Sequence, residues 1–261
     1  MMKKFFIMTR GRTGSTAIID ELGKLENSRC TVLEPFIKCD FVDILNKRTE
    51  LIEQLQIMLP FELWKTQGTW WKKFYIKLLN DKLLIDRYLN NEESSAIKGG
   101  ANIFGFKVLS HHFEETHFLK ETLLERGYKA IYLKRNIPRQ VISGMIANQR
   151  GLHNAKNNYQ DNCRYQIDIE AFKNLVTWET QAVENDIAFL KAVKFDFIEV
   201  SYEEFMKNRQ FFFERVLEFL TVPMNLPQAS SYSVMIKDLE HTVANYQAVL
   251  DSAGAMGMRI E

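Results

Sequence analysis

Apolar residues fall along this chain in short blocks that alternate between two periods. Lys3-Lys4-Phe5-Phe6-Ile7-Met8 is a run too brief for a helix and suited to a buried strand. A glycine-bearing turn, Thr9 to Thr16, follows it, and then the helical pattern AIIDELGKL. CTVLEPF (30–36) reads as a second strand with Glu34 at its C-terminal end, NIFGFKVL (102–109) as a third, AIYLK (130–134) as a fourth and FDFIEVS (195–201) as a fifth. Between them lie amphipathic helical runs: LIEQLQIML (51–59), FYIKLLNDKLLIDRYL (74–89), FLKETLLERG ending at Gly127, VISGMIANQ opened by Pro138, residues 168–192, and FFFERVLEFL (211–220). The tail SVMIKDLEHTVANYQAVLDSAG also has a helical pattern.

Strands alternating with helices predict an α/β fold whose central parallel sheet is covered by helices on both faces. A helical insertion of about 40–98 follows strand two, a helical tail of about 225–261 ends the chain, and the whole reads as a single domain, 1–261. With 261 residues, a core burying roughly 70–75% of the unfolded chain's surface needs no disulfide or metal staple. Ligands of such sheets bind at the carboxyl ends of the strands. Residues just after each strand are therefore the ones to examine.

Charge narrows the partners. Lys+Arg 34 against Asp+Glu 33 leaves a net +1, so no bulk field attracts nucleic acid, and any bound anion must be held by placed residues. Three cysteines (Cys30, Cys39 and Cys163) lack metal-site spacing and fit reduced thiols in a cytoplasmic protein. No apolar run approaches the ~20 residues of a membrane span. The basic, aromatic stretch 64–77 reads as a helix with its aromatics turned to the core.

Arg10-Gly11-Arg12-Thr13-Gly14-Ser15-Thr16 joins strand one to the first helix. Glycines permit a tight turn and close backbone approach. The helix start offers free N–H groups and partial positive charge, so the set describes a cradle for phosphate or sulfate. An ATP or GTP P-loop would carry lysine where Gly14 stands, which counts against a P-loop kinase. A dinucleotide fold would want glycine where Arg12 stands. At the fourth strand's end, Arg135 and, eight residues later, Ser143 can grip one phosphate between a guanidinium and a hydroxyl.

Arg12 to Thr16 resembles the phosphosulfate loop of sulfotransferases that use 3′-phosphoadenosine 5′-phosphosulfate (PAPS): a basic residue, a hydroxyl residue, glycine and two hydroxyl residues after the first strand. Arg135-Asn136 with Ser143 resembles that family's second motif, and FIEVSYEEF its strand followed by a tyrosine. The C-terminal Arg-Lys-Gly signature of the cytosolic small-molecule branch is absent, and Glu34-Pro35 is closer to carbohydrate or bacterial members. The resemblance implies a P-loop-like fold and sulfuryl transfer from PAPS, without a metal, to a small-molecule or glycan hydroxyl. It also implies the 3′-phosphate at Arg135 and Ser143, and Tyr202 near the adenine. A non-catalytic binder of the desulfated product PAP would carry the same motifs.

Arg12 and Lys107 are the cations expected at the reacting oxygens. Glu34 is the expected base, placed beside the first loop and raised in pKa by partial desolvation. His111 and His112 are the alternative, although they lie four and five residues after Lys107 rather than the two seen in cytosolic relatives. Oligomeric state has no sequence signature here.

Overall fold

The computed structural model describes residues 2–37, 58–66, 79–152, 163–232, 234 and 236–260. Its sheet is built from β1 (Lys3–Thr9), β2 (Ser28–Cys30), β3 (Ile103–Leu109), β4 (Lys129–Lys134) and β5 (Phe197–Ser201). All pairings are parallel, in the order β2-β3-β1-β4-β5. The α/β architecture with a parallel sheet expected from the alternating pattern is the one observed.

Period-two alternation along β1 divides the core. Phe6 and Met8 face one side with Phe104, Phe106 and Tyr132, covered by Tyr88 and Leu89 of α3 (Asp81–Lys98) and Leu190 of α7 (Ile169–Val193). Phe5 and Ile7 face the other side, against Ile18, Ile19 and Leu22 of α1 (Ser15–Leu22) and Phe212 and Phe213 of α9 (Arg209–Leu220). A third cluster joins α6 (Ile137–Arg150) to α7 and to α11 (Tyr246–Ala255) through Ile142, Ile146, Phe172, Val176 and Val249.

Helix starts follow capping chemistry. Asn80, Asn136, Asp168 and Asn208 each accept a backbone N–H with the side chain at the first turn of α3, α6, α7 and α9. Pro138 stands in the opening turn of α6, and Gly127, at φ +70, follows α5 (Leu119–Glu125). Besides these, α2 (Phe61–Thr66), α4 (His112–Glu115), α8 (Tyr202–Lys207) and α10 (Leu239–Thr242) complete the helices of the described residues.

Four expectations change. Strand two is Ser28–Cys30, not 30–36. After Thr31 N–H donates to the Gly105 carbonyl, pairing stops, and the Glu34-Pro35 segment enters a turn closed by Ile37 N–H on the Glu34 carbonyl. β2 also pairs with β3 rather than β1, so Glu34 reaches the rim across the end of β3. The run 74–89 yields a helix that begins only at Asp81, where Asn80 caps it; residues 67–78, and most of 51–59, lie outside the described residues. The C-terminal pattern is not one helix. Val243 is extended and pairs with Tyr165, which splits α10 from α11.

Trp64 is buried in α2, as its core reading required, while the rest of 64–77 beyond Thr66 is outside the described residues, as is Cys39. Cys30 is a free thiol. Among the described residues no helix is long and apolar enough to cross a membrane.

Candidate active site

The turn after β1 is shaped by two left-handed residues, Arg12 at φ 68 and Gly14 at φ 79. Gly14 is the N-cap of α1, and no side chain caps that helix. The first-turn amides therefore face the cleft ready for an anion. Glycine at 14 is needed twice over, because a Cβ there would lie 2.3 Å from Cε2 of Tyr202. The Thr13 hydroxyl is turned inward, 2.5 Å from that of Thr9, which in turn reaches the Leu133 carbonyl at 3.0 Å. This ties the turn to β4.

A cleft of about 510 Å³ opens above the turn. Its lining brings together Arg10 through Thr16, Glu34, Lys107, Arg135, Ser143 and Tyr202, from the segments after β1, β2, β4 and β5, from within β3 and from α6. Arg12 donates to Ser143 Oγ from Nε and Nη2, each at 3.4 Å. Arg135 donates from Nη1 to the Arg12 carbonyl at 2.8 Å, and its guanidinium lies 4.7 Å from the Tyr202 ring centroid. Its Nε is buried with no hydrogen-bond partner. The two motifs are thus one contiguous site.

Electrostatics point the same way. Burial, and then the charges of Arg135 and Arg150, lower the pKa of Arg12; burial likewise lowers that of Arg135. Like charges gathered in a low-dielectric cleft are costly until an anion arrives. Arg150, the last residue of α6, contributes to this field without any motif to announce it.

Lys107 is not at a strand's end. It is the fifth of seven residues in β3 and 3% exposed. Its ammonium bridges Glu34 Oε1 at 2.8 Å and donates to Thr16 Oγ1 at 3.0 Å, so both groups are held beside the loop. The expected upward shift of Glu34 is reversed. Burial pushes its carboxyl up, but the charge and hydrogen bond of Lys107 outweigh that, and the pKa lies below the usual carboxylate value. Glu34 is a carboxylate at neutral pH.

Arg10, expected at the donor, points its guanidinium to α7. Nε donates to Glu179 at 2.6 Å, Nη1 lies 3.7 Å from Asp186, and the group stacks 4.5 Å from the Trp178 ring. The Tyr202 ring is packed between Gly14 and Arg135, so it braces the arginine as well as lining the cleft. His111 and His112 do not line the cleft. His112 is fully buried, and its Nδ1 accepts the Leu109 N–H at 3.3 Å. Burial first, then the charge of His111, lower its pKa to about 4, so it is neutral at pH 7.

Sequence patterns missed Glu21, Ser230 and Tyr232, which also line the cleft. Glu21 reads as the polar face of a helix, and the other two sit in an irregular stretch with no periodic signal.

The Sulfotransfer_3 profile, described as the sulfotransferase family, matches residues 4–225. The chain belongs to the sulfotransferase family. The match spans all five strands and every residue of the two anion motifs. Among solved structures, the sulfotransferase from Alicyclobacillus acidocaldarius is similar at 13% identity and TM-score 0.49, covering 100% of this chain and 98% of that one. Sulfotransferase STF9 from Mycobacterium avium is similar at 13% identity and TM-score 0.45, covering 100% and 78%. Mouse sulfotransferase SULT7A1, complexed with PAP, is similar at 11% identity and TM-score 0.43, covering 85% and 59%. No curated protein sequence matches the chain.

Proposed function

We propose that this member of the sulfotransferase family moves a sulfuryl group from PAPS to a hydroxyl of a small-molecule or glycan acceptor, releasing PAP, as one catalytic domain in the cytoplasm. The observation that carries the reading is the convergence of the two anion motifs. Arg12, the uncapped start of α1, Arg135 and Ser143 share one cleft, with Arg12 and Ser143 within 3.4 Å. Two buried arginines of depressed pKa, one with an unpartnered Nε, fit a donor that carries both a 5′-phosphosulfate and a 3′-phosphate.

PAPS supplies the sulfuryl group when bound. The first-turn amides of α1, with Ser15 and Thr16, hold the phosphosulfate, Thr13 braces the turn through its inward hydroxyl, and Arg135 and Ser143 hold the 3′-phosphate. The acceptor oxygen bonds to sulfur as the bond from sulfur to the 5′-phosphate oxygen breaks, leaving that electron pair on PAP. Arg12 and Lys107 stabilise the charge growing on the bridging and equatorial oxygens. Glu34 takes the hydroxyl proton. Its low pKa makes it a weak base but keeps it ionised, so the proton moves late, when the attacking oxygen has become acidic. The neutral, buried His112 is the weaker candidate for that role.

Transfer of radiolabelled sulfate from PAPS across a panel of phenolic, steroid and sugar alcohols tests this. The expected result is a labelled product with at least one acceptor and a loss of about 10²–10⁴-fold in Glu34→Gln. PAP binding with no transfer to any acceptor would favour the non-catalytic reading.

A further inference from the structure

Glu21 is out of place in a cleft built for an anion. It is a carboxylate, 3% exposed, on the helix that begins at the phosphate loop. Both its oxygens are occupied. Oε1 accepts the Ser230 N–H at 2.9 Å, and Oε2 accepts Nε and Nη2 of Arg209, each at 2.7 Å. Arg209 also donates to the Pro227 carbonyl. Asp20 on the same helix and Lys24 just beyond its end extend the attachment: Asp20 accepts the Ser230 hydroxyl at 2.8 Å, and Lys24 donates to the Ala229 carbonyl at 2.8 Å. The irregular strap 227–232 has no sheet or helix of its own, yet it is tied at four points to α1, to the turn that ends it and to the start of α9. Beyond these ties it delivers Tyr232, Val234 and Ile236 to the cleft wall.

We propose that Glu21 is a positioning residue for the donor. By clamping the strap to the helix of the phosphate loop, it completes the cleft wall and sets donor affinity without touching the donor. A buried carboxylate satisfied by a forked guanidinium and a backbone N–H gives a rigid attachment, because removing either partner leaves a buried charge unpaired. The inference rests on the PAPS reading and adds the part of the chain that closes the donor site.

Glu21→Gln keeps an acceptor for Ser230 but removes the charge that holds Arg209. The readouts are PAP titration calorimetry, well below the melting temperature, and hydrogen exchange of the 228–232 amides. The expected results are PAP binding weaker by about tenfold and strap exchange faster by about tenfold, with the β4 amides unchanged. A merely structural role would lower the melting temperature but leave the affinity of the folded protein as it was. Arg209→Lys, which keeps the charge but loses the fork, should shift both readouts the same way by less, and it carries the test if Glu21→Gln does not fold. PAP affinity within twofold of wild type in the folded variant overturns this inference alone. A wild type that does not bind PAP overturns the donor reading, and the inference with it.

Discussion

Substituting Gly14 by alanine isolates the joint between the phosphate loop and the arginine behind it. The residue sits at φ +79, where an alanine costs about 1–2 kcal/mol from its own backbone. The new Cβ would also stand 2.3 and 2.4 Å from two ring carbons of Tyr202, a clash that rotation of the methyl cannot relieve. Displacing a packed ring adds about 1–3 kcal/mol, so the total is about 2–5 kcal/mol, or about 5–15 °C in melting temperature for a chain of this size. Gly127→Ala is the internal control: its φ is +70, but nothing lies within 4 Å, so only the backbone cost, about 3–6 °C, applies. Because the Tyr202 ring braces Arg135 at 4.7 Å, Gly14→Ala should also weaken PAP binding, whereas Gly127→Ala should not. The steric part should vanish in Gly14→Ala with Tyr202→Ala, giving non-additive stabilities with a coupling of about 1 kcal/mol or more. Differential scanning fluorimetry with PAP titration reads both effects. Equal melting shifts for the two glycine variants would refute the packing argument.

Three further outcomes follow from the charges. Lys107→Met leaves Glu34 buried without its cation and should cost about 2–3 kcal/mol at pH 7, less than the full price of a buried pair because Glu34 is partly exposed. Its pH dependence should also invert. In wild type the depressed Glu34 pKa adds stability above the unfolded value, lost as pH falls through the folded one. In Lys107→Met burial, the largest influence on this carboxyl, is opposed only by a backbone hydrogen bond and the charge of His112 and raises the pKa, so acidification recovers stability, as denaturant melts between pH 4 and 7 would read. If Glu34 is the base, the pH profile of transfer should stay flat down to below the ordinary carboxylate range. An activity that instead falls with a midpoint near pH 6–7, above both Glu34 and His112, would refute Glu34 as the base. Arg10→Met should weaken PAP binding far less than Arg12→Ala, because its guanidinium is committed to Glu179 and Asp186; calorimetry giving the opposite order would show that Arg10 turns to the donor.

The sequence made the strand-turn-helix order readable because period-two and period-3.6 patterns, a glycine turn and a helix-opening proline are local signals. Those signals put Arg12, Arg135, Ser143 and Tyr202 after the right elements, and parallel pairing then brought them to one rim. Properties set by partners distant in sequence were not readable. The sign of the Glu34 shift depends on Lys107, 73 positions away, reaching it at 2.8 Å from inside a strand. Arg10 follows β1 as the pattern said, but its rotamer answers to two acids on α7. The strap carries no periodicity, and its attachment to Glu21 exists only through tertiary contacts. The end of strand two was misjudged because Val32 and Leu33 read as strand residues, while β3 offers them no further pairing.

The central claim is that Arg12, Arg135 and Ser143 form a site for a nucleotide with a 3′-phosphate. The most direct measurement is the melting temperature with PAP and with AMP at equal concentration, in wild type and in Arg135→Ala. The account predicts a much larger rise with PAP in wild type and no difference between the two nucleotides in Arg135→Ala. Equal stabilisation of wild type by PAP and AMP would contradict it.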